Sequence, residues 1–116
     1  MAVVVPQQNR SAGTYQGALD VTPGTTAISA SLLMAQAEID DPANAVTFTV
    51  EGDWGAGFEP VAGPIDWVGG GPVRPGQTRT APGFTYETTS RVMPTTLRAT
   101  VTTNRRWVWG VDLTVA

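Results

Sequence analysis

The sequence predicts an all-β domain: an antiparallel β-sandwich, jelly-roll-like or immunoglobulin-like, with little or no helix. Three observations predict it. Over residues 97–115 nearly every odd position is apolar: Leu97, Ala99 and Val101, then Trp107, Trp109, Val111, Leu113 and Val115. Over residues 46–51, Val46, Phe48 and Val50 alternate with Thr47, Thr49 and Glu51. Short runs of this kind recur between clusters of turn residues. Side chains alternate across a strand, so each run has one face for a core.

The elements follow in order. Residues 1–13 read as an extended, irregular N-terminal arm ahead of a single sandwich domain at residues 14–116. Val3, Val4 and Val5 are apolar and β-prone, Pro6 interrupts them, and Gln7 to Gly13 is polar. Residues 15–21 read as a strand with Tyr15, Gly17, Leu19 and Val21 on one face. Thr22-Pro23-Gly24-Thr25 is a turn, because Pro fixes φ and Gly accepts positive φ. Residues 27–37 alternate through Ile28, Ala30, Leu32 and Met34, which favours a strand, although residues 32–38 also have helical propensity. Asp40 to Asn44 is loop. Residues 52–83 hold nine of the thirteen glycines. They read as a long loop with at most a short strand near residues 64–68. Residues 84–88 read as a strand with Phe84 and Tyr86 inward. The last two runs, joined by Thr103, Asn104 and Arg105, read as a hairpin with one shared apolar face.

Composition narrows the function. With 116 residues the chain is one domain, large enough for a core without staples. It has no Cys and no His, so thiolate chemistry, disulfides and imidazole bases or ligands are absent. All seven cations are Arg, which fits both a GC-rich coding sequence and an interface protein. A net charge of −3 argues against general nucleic-acid binding. The N-terminus lacks the basic region of a signal peptide, and no run approaches the length of a membrane helix. The expectation is a protein made and kept in the cytoplasm, or assembled into a particle there, that binds neither nucleic acid nor membrane.

No catalytic constellation emerges. Glu51, Asp53 and Glu59 show no frame for a glycosidase pair. Ser and Thr nucleophiles have no His or Lys to activate them. Asp40, Asp41, Asn44 and Asp53 are oxygen donors of the kind calcium takes, without the spacing of a calcium loop. The glycine runs at 52–57 and 69–71 lack the Gly-Lys-Ser/Thr of a phosphate loop. No cofactor or metal is expected. Of the four tryptophans, Trp107 and Trp109 share the parity of the aliphatic residues after them and belong in the core. Trp54 and Trp67 lie in the glycine-rich middle, as loop anchors or as exposed contacts.

The pattern of Gly17-Ala18-Leu19-Asp20-Val21, the turn at Pro23-Gly24-Thr25, and Asp41-Pro42-Ala43-Asn44 ahead of residues 46–51 resembles a known type. Trp54 after Gly52-Asp53 and Trp109-Gly110-Val111-Asp112-Leu113 near the end add to it. These features resemble small β-sandwich virion accessory proteins of tailed bacteriophages, found as head decoration, neck or tail components. The resemblance covers residues 15–115 and rests on strands and turns. It implies a non-enzymatic virion structural protein, a multi-copy homo-oligomer whose partners are capsid, neck or tail proteins. It assigns no site residue. Val3, Val4, Val5, Trp54 and Trp67 are the candidate partner contacts read from the residues themselves. The alternative reading is a carbohydrate-binding module that uses exposed tryptophans on a surface glycan.

Overall fold

The computed structural model describes residues 2–70, 83–87 and 92–116; the side chains of residues 2, 62, 84, 86 and 87 lie outside the description, and with them the inward placement of Phe84 and Tyr86. Eight strands form: β1 (Ala2–Arg10), β2 (Gly13–Asp20), β3 (Ala27–Leu33), β4 (Ala45–Asp53), β5 (Phe58–Val68), β6 (Gly83–Glu87), β7 (Thr96–Thr103) and β8 (Trp107–Val115). One short helix, α1 (Gln36–Ile39), sits between β3 and β4. The strands make two four-stranded sheets, ordered β1-β8-β3-β6 and β2-β7-β4-β5.

This order has a simple origin. The antiparallel pairs β1–β8, β2–β7, β3–β6 and β4–β5 are nested, as in one long hairpin with β4–β5 at its tip. Rolling that hairpin brings β3 beside β8 and β4 beside β7, which completes both sheets. The result is the eight-stranded jelly roll. Of the two sandwich types the sequence left open, this wiring selects it.

The strand favoured over residues 27–37 ends at Leu33, and Gln36–Ile39 is helical, as the propensity of residues 32–38 allows. Three larger expectations need correction. The residues after β7 do not make a hairpin. β7 lies in one sheet and β8 in the other, so Thr103 to Arg106 cross between them. Apolar parity is the same in both runs because each strand faces one interior from opposite walls. Parity alone does not distinguish that arrangement from a shared face.

The N-terminal segment is not an irregular arm. Residues 2–10 are β1, paired with β8 from Ala2↔Leu113 to Arg10↔Trp107. Pro6 is tolerated because β1 is an edge strand whose register shifts between Val5 and Gln8. At the corner where the sheets meet, Gly17 of β2 lies under β1: a Cβ there would stand 2.5 Å from the Val4 carbonyl oxygen. Only glycine permits that approach.

The third correction is the glycine-rich middle. Residues 58–68 form β5, the longest strand, along β4 from Ala45↔Val68 to Asp53↔Phe58. Glycine and proline hid it. They sit where its register shifts, opposite the stretch from Phe48 to Glu51.

The core lies between the sheets. Trp109, Phe48, Val101, Val111 and Leu113 are fully buried, joined by Ile28, Leu97 and Val50. Trp107 is buried beside them, as its parity required. Tyr15 meets Trp109 edge-on with centroids 5.4 Å apart, and the Arg10 guanidinium lies over both rings.

Candidate interaction surfaces and a surface cleft

The five candidate contacts separate on burial. Val3 is 51% exposed, Val4 is half-buried and packs on the core, and Val5 is buried within it. Trp54 is half-buried, and its indole N–H donates to the Val92 carbonyl at 2.8 Å, which anchors the turn after β4. Trp67 is only 8% exposed and stacks on Trp107 with centroids 6.4 Å apart. Val5 and Trp67 are therefore corrected as free-surface contacts: both face inward. The structure does not bring the five together. Val3 to Val5 belong to one sheet, Trp67 to the other, and Trp54 to the turn beyond β4.

The outer faces of the two sheets differ in charge. On the β2-β7-β4-β5 sheet, Arg98 pairs with Glu51 at 2.7 Å and lies 4.1 Å from the centroid of the Phe58 ring. Thr100 also donates to Glu51. The Arg98 hydrogen bond, foremost, holds the Glu51 carboxyl below its ordinary value against a smaller opposing effect of burial. A lowered carboxyl value means stability that is present above the unfolded value and is lost as pH falls through the folded one. Acid unfolding of Glu51→Gln should therefore be shallower than wild type below the ordinary glutamate range. Equilibrium unfolding across that pH range checks it.

The outer face of the β1-β8-β3-β6 sheet is different. Ser29, Ser31 and Leu33 of β3, Thr85 of β6, Val108 of β8 and Val3 of β1 point outward. Among the described residues with outward side chains on this face, Asp112 alone is charged, and it is buried, with Thr114 donating to it. The described side chains of this face are small and, Asp112 aside, uncharged, and two of them are exposed valines, Val3 and Val108 at 38%.

A polar network that the sequence did not reveal ties one end of the roll together. Asn44 is fully buried. Its amide N–H donates to the Glu38 carbonyl at 2.9 Å, and its side-chain oxygen accepts from Arg105 at 2.9 Å. Arg105 also pairs with Asp41 at 3.1 Å. Asn44 thereby joins α1 to the β7–β8 crossing. Of the oxygen donors weighed for calcium, Asp41 and Asn44 face Arg105, Asp40 accepts from Gln36, and Asp53 accepts from the Gly55 and Gly57 amides. No group of three metal-binding side chains occurs among the described residues. Asn44→Ala should cost about 1–3 kcal/mol, since it removes the hydrogen bonds of a fully buried side chain. Urea titration checks this.

Next to this network a surface cleft of about 350 Å³ opens where β4, β5 and β7 end. Thr47, Asp66, Thr102 and Asn104 supply its polar atoms, and Trp67 and Val68 part of its apolar wall. Thr47 donates to Asp66 at 2.8 Å. The Asn104 amide is fixed twice, accepting from the Ala45 amide and donating to the Ala43 carbonyl. Thr103, also in the lining, has a buried hydroxyl with no hydrogen-bond partner.

No family model matches the chain, and no curated protein matches it. Among solved structures, the chain is similar over 94% of its length to a chain in the structure of infectious bursal disease virus, Gx strain. The identity is 12% and the TM-score 0.33, and the matched region is 32% of that viral chain.

Proposed function

We propose that this protein is a non-enzymatic structural component of a virus particle, present in many copies and docked to its neighbours through the outer face of the β1-β8-β3-β6 sheet. The observation that carries the reading is the nested strand wiring, an architecture that viral capsid domains share with lectin domains and cupins. The character of the outer face supports it. A chain of net charge −3 repels its own copies, and a face whose described side chains carry little charge is where that repulsion is least. Its serines and threonine allow a flat surface to approach closely, and Val3 and Val108 supply apolar area. The chemistry of the chain supports a non-catalytic role, since it has no His, Cys or Lys.

Within this reading, the narrower assignment is a decoration, neck or tail component of a tailed bacteriophage, assembled in the host cytoplasm. It follows from the strand-and-turn resemblance. Quantitative mass spectrometry of particles made from the encoding genome should find the chain as a stoichiometric, multi-copy component. Particles that lack it would overturn the proposal, and its position on head, neck or tail would follow from labelling the same particles.

A further inference from the structure

The geometry points to a saccharide site in the cleft at the ends of β4, β5 and β7, sized for a single neutral pyranose unit. The inference is independent of the assembly reading, which concerns the opposite sheet. Three observations carry it.

The first is size. A cleft of about 350 Å³ is at the small end of ligand pockets. It holds one ring and its substituents, not a peptide or an extended nucleotide.

The second is the kind of groups that line it. Asp66 offers a carboxylate that accepts hydrogen bonds from ligand hydroxyls, and Thr47 and Thr102 offer hydroxyls that both donate and accept. Val68, 51% exposed, presents a small apolar surface suited to the C–H face of a sugar ring, while the Trp67 ring faces the core behind it. Among the described lining residues no side chain is cationic, and the one charge is negative. An anionic ligand, whether phosphate, sulfate or an acidic sugar, is therefore disfavoured.

The third is preorganisation. Thr47 holds Asp66, Thr14 holds Thr102 at 2.9 Å, and Asn104 is fixed at both ends. Ordering these groups on binding therefore loses little entropy.

The experiment is a titration of the full chain, observed by amide and indole chemical shifts, with the methyl glycosides of glucose, galactose and N-acetylglucosamine. Ethylguanidinium and glucuronate serve as charged comparators. The expected result is saturable shifts at Trp67, Val68, Thr102 and Asn104 with at least one neutral glycoside, at a Kd on the order of millimolar. Asp66→Asn should weaken that binding roughly tenfold through loss of a charge-assisted hydrogen bond. Thr102→Val, a second surface change, should weaken it without altering the thermal midpoint. The proposal is overturned if no neutral glycoside shifts these residues at ~50 mM, well above millimolar affinity, or if Asp66→Asn binds as wild type does. Saturation by ethylguanidinium instead would make the cleft a socket for a partner's basic side chain, and would likewise overturn it.

Discussion

Replacing Trp109 with Ala should destabilise the protein by about 3–5 kcal/mol, the usual cost of deleting a fully buried aromatic residue. Trp109 has no exposed surface and sits on β8, the strand shared by β1 and β3. Its ring touches Tyr15, Trp107 and the Arg10 guanidinium, so truncation leaves a cavity bordered by several large groups. On a domain of this size the midpoint should fall by roughly 10–20 °C. Trp109→Phe makes a useful contrast. The Trp109 indole N–H has no hydrogen-bond partner, so the Phe variant loses volume and no hydrogen bond. It should cost clearly less than the Ala variant. Chemical denaturation of the three proteins measures both differences. An Ala variant as stable as wild type would mean that Trp109 is not in the core.

The second large effect concerns the N-terminus. Deleting residues 1–10 should abolish cooperative folding. β1 supplies Val5 to the core and one entire flank of β8. Without it, β8 becomes an edge strand, and Trp109 loses the guanidinium of Arg10. The subtler variant Val5→Asp should cost about 4 kcal/mol or more, because it buries an unpaired carboxylate. Far-UV circular dichroism and thermal melts read both. A truncated chain that melts cooperatively at the wild-type midpoint would show that residues 2–10 are dispensable to the domain.

That second prediction shows where sequence reading stops. The alternation at Val46, Leu97 and Trp107 made the strands and their inward faces legible, because a two-residue period is a local property. The burial of Trp107 and Trp109 followed from the same parity. Which sheet each strand joins is not local. Thr103-Asn104-Arg105 has the composition of a hairpin turn, yet it carries the chain from one wall of the sandwich to the other. Val3, Val4 and Val5 read as an arm because Pro6 and the polar stretch after it break the alternation. The irregular pairing with β8 around Val5 to Gln8 absorbs that break. In β5, Pro60, Gly63 and Pro64 masked a strand in the same way.

The candidate surfaces were legible only in part. Trp54 as an anchor was a stated possibility, and its hydrogen bond to Val92 accounts for it. Asn44 gave no signal beyond its place in a loop, since its burial depends on Arg105, sixty-one residues later. The cleft is assembled from three strand ends, and no single segment announces it. The contrast between the two outer faces likewise emerges only once strand order is known.

The claim that this roll works by docking to neighbouring copies through the outer face of the β1-β8-β3-β6 sheet is tested most directly by sedimentation velocity. The full chain should be compared with the double variant Ser29→Lys, Val108→Lys, which places two charges on that face without touching the core. The wild-type chain is predicted to form multimers at tens of micromolar (tens of times a Kd of about 1 μM), and the variant to stay monomeric with an unchanged thermal midpoint. A wild-type chain that remains monomeric at every concentration, or a variant that assembles as readily as wild type, would contradict the account.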